Sequence, residues 1–175
     1  MSKLNGPTGQ RGPQLRHLRG AVANLVGSSG GGTCFFRSAA LVLDVPGTEL
    51  CFGVLAGATD EERAANPEAS PTRFIHSWVE RGATVYSPTQ IEREGELIPW
   101  PKAFYYETNG VNDARTIKRP ALLKISEEIG LSAHLRLGRP LKTDASFVFR
   151  LLDTAGLPYA ISQDGGLVPP EFGGT

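Results

Sequence analysis

An α+β fold is predicted for this 175-residue chain from three features of its sequence. Helical patterns lie towards the two ends and strand patterns between them, the order expected when helices and sheet segregate. Two strand-like runs flank Arg81-Gly82-Ala83, a hairpin signal. Hydrophobic residues make up 40% and charged residues 21%, the balance of an ordinary globular core.

The elements follow in chain order. Residues 1–13, rich in Gly, Pro and polar groups, read as a flexible tail ahead of a single domain over 14–165. From Pro13 onward, Leu15, Leu18, Val22 and Leu25 recur at helical spacing. That pattern stops at Gly27-Ser28-Ser29-Gly30-Gly31-Gly32, a loop with almost no side-chain bulk. Cys34 to Val45 is a continuous apolar run whose Ala39-Ala40-Leu41 centre favours helix, and Asp44, Pro46 and Gly47 end it. Glu49 to Leu55 suits a buried strand. Residues 58–73 are polar and read as an exposed connection with one helical turn. The hairpin runs follow, then an irregular stretch over 97–118 with Pro99, Pro101, Trp100, Phe104, Tyr105 and Tyr106. Pro120 opens a helix that Gly130 caps, and Thr143-Asp144 caps a second that Gly156 ends. Asp164-Gly165-Gly166 is a turn, and 166–175 reads as a second flexible tail.

Charge and motif content exclude several function classes. No stretch approaches the roughly 20 apolar residues of a membrane span, and no apolar h-region follows the charged N-terminus, so a cytoplasmic setting is expected. The formal net charge is zero, yet residues 1–43 carry Lys3, Arg11, Arg16, Arg19 and Arg37 and no acid. These bases are sparse and lack interleaved aromatics, which argues for a solvated leader over a nucleic-acid arm. No phosphate loop, dinucleotide fingerprint, EF-hand or zinc spacing occurs, so no metal or cofactor is expected. The two cysteines, Cys34 and Cys51, cannot form a disulfide framework.

Cys34 is the first residue with chemistry to offer. A loop of glycines delivers it to a helix start, where unpaired N–H groups and the positive dipole end stabilise a thiolate. The same donors suit an oxyanion formed when that thiolate attacks a carbonyl. Gly32 and Thr33 before it leave room for a substrate. His76 lies in Phe74-Ile75-His76-Ser77-Trp78-Val79-Glu80, which alternates as a strand: His76, Trp78 and Glu80 share one face and Ile75, Ser77 and Val79 the other. Taken singly, a small buried thiol and a satisfied structural imidazole are the commoner readings. Together they form the minimal pair for nucleophilic acyl transfer. Cys51 sits in a buried-strand pattern, His17 lies on a polar helix face, and His134 has no carboxylate at informative spacing. The aromatics from Trp100 to Tyr106 read as a satellite core under a loop, or as the wall of a peptide groove.

The run Gly30-Gly31-Gly32-Thr33-Cys34-Phe35-Phe36-Arg37-Ser38, followed by His76-Ser77-Trp78-Val79-Glu80, resembles the transglutaminase-like and papain-like cysteine peptidase superfamily. The match spans about residues 28–90. It is particularly similar to the bacterial leader peptidases of lasso-peptide pathways. The resemblance implies a Cys-bearing helix packed on a small antiparallel sheet, with Cys34 as nucleophile, His76 as base and a peptide or protein substrate. It also implies an Asp orienting the His, in an Asp-Pro-Thr segment of the second hairpin strand. Here that segment reads Ser87-Pro88-Thr89. Ser87 accepts a hydrogen bond but cannot hold an imidazolium as a carboxylate does. Three readings follow. The chain is a cysteine hydrolase or acyltransferase with Trp78 flanking the substrate, with Asp113 conceivable as a substitute carboxylate. It is a catalytically degenerate scaffold that binds a partner. Or, most weakly, it binds nucleic acid through its basic N-terminal arm.

Overall fold

The computed structural model describes residues 33–57, 60–67, 73–91, 97–129, 145–163 and 165–173. The helix expected over Pro13–Leu25, the glycine loop ending at Gly32, His17, His134, and the caps at Gly130 and Thr143-Asp144 lie outside the described residues. In chain order the elements are α1 (Thr33–Asp44), β1 (Glu49–Ala56), α2 (Asp60–Ala65), β2 (Arg73–Arg81), β3 (Thr84–Ile91), β4 (Leu97–Pro101), α3 (Lys102–Thr108), β5 (Asn112–Ile117), α4 (Arg119–Glu128), α5 (Ala145–Ala155), β6 (Ala160–Ile161), β7 (Leu167–Val168) and a short 3-10 turn (Pro170–Phe172). The class is α+β, as the sequence predicts.

One antiparallel sheet in the order β4-β3-β2-β1-β5 organises the molecule. Alternation sends Leu50, Phe52, Val54, Ile75, Val79 and Tyr86 to one face, where they meet α1, α4 and α5 in the main core. Cys51, Leu55, Trp78, Val85 and Trp100 point the other way, into a smaller cluster closed by Tyr105 of α3. α1 is buried on every side from Cys34 to Val42, which explains why all but Arg37 and Ser38 in that stretch are apolar. Phe36 packs on Phe147 of α5 with ring centroids 5.0 Å apart, and Phe35 on Phe52 of β1 at 6.0 Å. Arg119 Nη2 donates to the Leu43 carbonyl at 2.9 Å, satisfying one of the acceptors that the end of α1 leaves over. α5 ends as the sequence predicts. Gly156 (φ +65°) lets Leu157 N–H reach the Leu152 carbonyl and Gly156 N–H the Asp153 carbonyl, a Schellman closure.

The β2–β3 hairpin turns at Gly82 (φ +58°), with Ala83 not in the left-handed region. A positive φ at the first central position alone is the pattern of a II′ connection. Gly53 marks a different constraint. It stands where the β1–β5 register shifts, and a Cβ there would lie 3.0 Å from Ala114 Cα and 3.0 Å from the Asn112 carbonyl oxygen. Both neighbours are backbone and cannot move aside cheaply. Gly53→Val is therefore expected to destabilise the fold by about 1–3 kcal/mol, seen as a lower urea midpoint.

Two expectations need correction. Residues 97–118, read as irregular, form β4, α3 and β5. β4 carries Pro99 and Pro101 because it is an edge strand, where missing N–H donors do no harm. β5 is the opposite edge and mostly exposed, so it shows no apolar alternation. The expected tail over 166–175 instead contains β7, which pairs with β6 through Ala160–Val168 and Ile161–Leu167 and buries Val168 against β2. No helix among the described residues is long and apolar enough to cross a membrane.

Candidate active site

The β2–β3 ladder runs only from Arg81–Thr84 to Val79–Tyr86. Beyond it the strands part, and Ser77 and Ser87 lie past the last paired residues. The second turn of α1 sits against this opening: Arg37 Nη1 donates to the Pro88 carbonyl at 3.3 Å, and the Ser77 hydroxyl lies 3.1 Å from Ser38 Oγ. Pro88 has no N–H to continue the ladder, which suits the parting.

Cys34 reaches this opening from the α1 face of the sheet. His76 belongs to the opposite face, with Trp78 and Glu80. Between the parted strands the sulfur and the imidazole hydrogen-bond, and Ser77 adds its backbone N–H and hydroxyl as further partners of the sulfur. Burial by itself would push the Cys34 thiol up. The His76 charge and hydrogen bond, with the two Ser77 donors, outweigh it and hold the thiol below its ordinary range. His76 is half-buried while Cys34 is 8% exposed, so the imidazole side is the way in. The Phe74 ring and the imidazole meet edge to face at a centroid distance of 6.1 Å.

On its far side, His76 Nε2 is 3.4 Å from Ser87 Oγ. Ser87 is buried, and the hydroxyl of buried Tyr105 lies in hydrogen-bonding range behind it. Burial pushes the Tyr105 phenol up, so it stays neutral. The structure thus brings together Cys34, His76 and Ser87. Asp113 does not join them: it is on edge strand β5, exposed and paired with Arg115.

Trp78, expected against the substrate, is instead fully buried between Tyr105 and Tyr106, and its indole N–H donates to Glu80 Oε1 at 2.9 Å. Its role is packing. Thr33 opens α1, its side chain lies outside the described residues, and so does Gly32. Cys51 is unbridged, faces the smaller cluster, and has its thiol pushed up to about 12 by burial. Sequence reasoning missed Ser77, Arg37 and Tyr105. A lone arginine inside an apolar helix was the available signal for Arg37; nothing local tells where the Tyr105 hydroxyl points. Among the described residues no group of His, Cys, Asp and Glu is placed to hold a metal ion. No family model, curated protein or solved structure matches this chain.

Proposed function

We propose that this chain is a cysteine-dependent acyl-transfer enzyme acting on peptide or amide bonds, with a papain-like or transglutaminase-like core. One observation carries the reading: a buried sulfur at a helix start hydrogen-bonds an imidazole whose Nε2 is already engaged by Ser87. With Nε2–H directed at Ser87, Nδ1 is the nitrogen left to exchange a proton with sulfur. Ser87 turns its own proton towards Tyr105 and so presents a lone pair to the ring. That orientation does part of the work of the absent carboxylate, without its charge.

The reaction then balances as follows. The Cys34 thiolate bonds to the carbonyl carbon and the C=O π pair moves to oxygen, facing the N–H groups that open α1. The oxyanion collapses, the C–N bond breaks, and His76 delivers the former thiol proton to the leaving nitrogen. Water, losing a proton to His76, attacks the thioester, and the C–S bond breaks to restore the thiolate. An acceptor amine in place of water gives transfer. The resemblance to leader peptidases favours a peptide or protein substrate, and two unbridged thiols suit a cytoplasmic setting.

The test is the rate of iodoacetamide modification against pH, with peptide mapping. Cys34 is expected to react in the native protein with a midpoint below about 8.5, and Cys51 only on unfolding. Cys34 reacting only on unfolding sinks the proposal. Ser87→Ala is expected to slow Cys34 acylation by an activated ester about fivefold, the worth of one ordinary hydrogen bond; Ser87→Asp should accelerate it. The second reading, a partner-binding scaffold, draws on the neutral Ser87 in place of a carboxylate. It expects no acyl-enzyme from the wild-type protein.

A further inference from the structure

We propose that the Arg37 guanidinium is the permanent counter-charge of the Cys34 thiolate, and so a positioning residue of the proposed site. This rests on the Cys34–His76 reading above. Arg37 stands one helical turn after Cys34 on the same side of α1, a spacing that makes the two side chains neighbours. It is 6% exposed, one arm is pinned to the Pro88 carbonyl, and its Nε has no hydrogen-bond partner. Among the described residues no carboxylate pairs with it. A guanidinium in such a place is strongly unfavourable unless an anion compensates it.

Besides Arg37, three titratable groups bear on this point: Cys34 on α1, whose charge acts on Arg37, His76 of β2, which acts on the sulfur directly, and Tyr105 of α3, whose phenol feels the sulfur's charge. Tyr105 stays neutral, and His76 gives up its proton in the proposed cycle. Arg37 cannot lose its proton in the working range. The thiolate therefore keeps one cationic neighbour when the imidazole is neutral. In the catalytic cycle this makes the sulfur a better leaving group from the thioester, because the thiolate that returns when the C–S bond breaks is met by a fixed cation.

The experiment compares iodoacetate with iodoacetamide on the full chain, reading Cys34 modification against pH. A fixed cation beside the sulfur favours the anionic reagent. In His76→Ala, where Arg37 is the remaining cation at the sulfur, the preference for iodoacetate should persist. In Arg37→Gln, which can still donate to the Pro88 carbonyl, the midpoint should rise by about one pH unit and the preference should fall several-fold. Arg37→Lys should restore both. A folded Arg37→Gln protein with the wild-type midpoint overturns the inference. So does loss of the preference in His76→Ala, which decides the matter even if Arg37→Gln does not fold. Failure of the underlying reading looks different, because wild-type Cys34 would then be unreactive until unfolding.

Discussion

His76→Ala is expected to lower the rate of Cys34 acylation at pH 6 by about tenfold for an activated ester and by about a hundredfold or more for an amide. Two losses combine. The first is thiolate population. His76 supplies the charge and one of the hydrogen bonds that overcome burial of the sulfur, and without them burial pushes the thiol back up. A midpoint two units higher leaves about one-hundredth of the thiolate at a pH below both values. The remaining thiolate is intrinsically more nucleophilic, which returns part of the loss because reactivity rises with thiol pKa at a slope of about 0.4–0.5. The second loss is the proton delivered to the leaving group, which matters little for an activated ester and much for an amide. The amide-to-ester ratio should therefore fall in the variant. An unchanged ratio would show that His76 only tunes the sulfur and does not act as the general acid. Single-turnover rates on the two substrate types give this directly.

The sequence carried the frame of this site because its signals are local. A glycine loop before an apolar run marks the start of α1, and strict alternation around His76 assigns the faces of β2. Gly82 marks the hairpin that brings Ser87 back beside His76. Each of these depends on neighbours within a few residues. Where tertiary context rules, the reading was incomplete. β4 and β5 are edges, so prolines and polar side chains are tolerated there and the usual strand pattern is missing.

The same distinction explains what was read wrongly at the site itself. His76 and Trp78 do share a face, but that face is covered by α3, and no local feature of the irregular-looking 97–118 segment announces that cover. The local pattern alone therefore points Trp78 towards substrate, whereas it belongs to the interior. The meeting of Cys34 with His76 is also not a matter of a helix lying on the histidine's face. α1 lies on the Ser77 face, and contact depends on β2 and β3 separating after Val79–Tyr86. Register of that kind is set by the whole sheet, and Pro88 is its only trace in the sequence.

Glu80, the last residue of the His-x-Trp-x-Glu pattern, is expected to matter for stability more than for chemistry. Its buried carboxylate accepts from Trp78 Nε1 at 2.9 Å and Tyr106 Oη at 2.6 Å, and pairs with Lys102, whose ammonium also lies 5.3 Å from the centre of the Tyr106 ring. Burial alone would push the Glu80 carboxyl up. The hydrogen bonds from Lys102, Trp78 and Tyr106 outweigh it and hold it below the usual carboxylate range. Glu80→Ala strands a fully buried indole N–H and leaves Tyr106 without its acceptor, and should destabilise the protein by about 3 kcal/mol. The Lys102 contribution is small within that figure, since its side chain is 42% exposed and water screens it. Glu80→Gln keeps an acceptor for Trp78 and should lose less. The pH dependence has a definite sign. A carboxyl whose folded-state pKa lies below its unfolded value of about 4.3 stabilises the fold above that pH and loses the contribution as pH falls through the folded value. Wild type should therefore lose more stability than Glu80→Gln between pH 5 and strongly acidic conditions, measured as urea midpoints at each pH. Parallel curves for the two proteins would mean the buried carboxylate is not held in its ionised form by these three donors. The network clamps α3 onto β2, and α3 carries Tyr105 behind Ser87. A partial loss of Cys34 reactivity in Glu80→Ala at neutral pH, without a shift of its pH midpoint, is the corresponding signature of a residue that supports the site through packing.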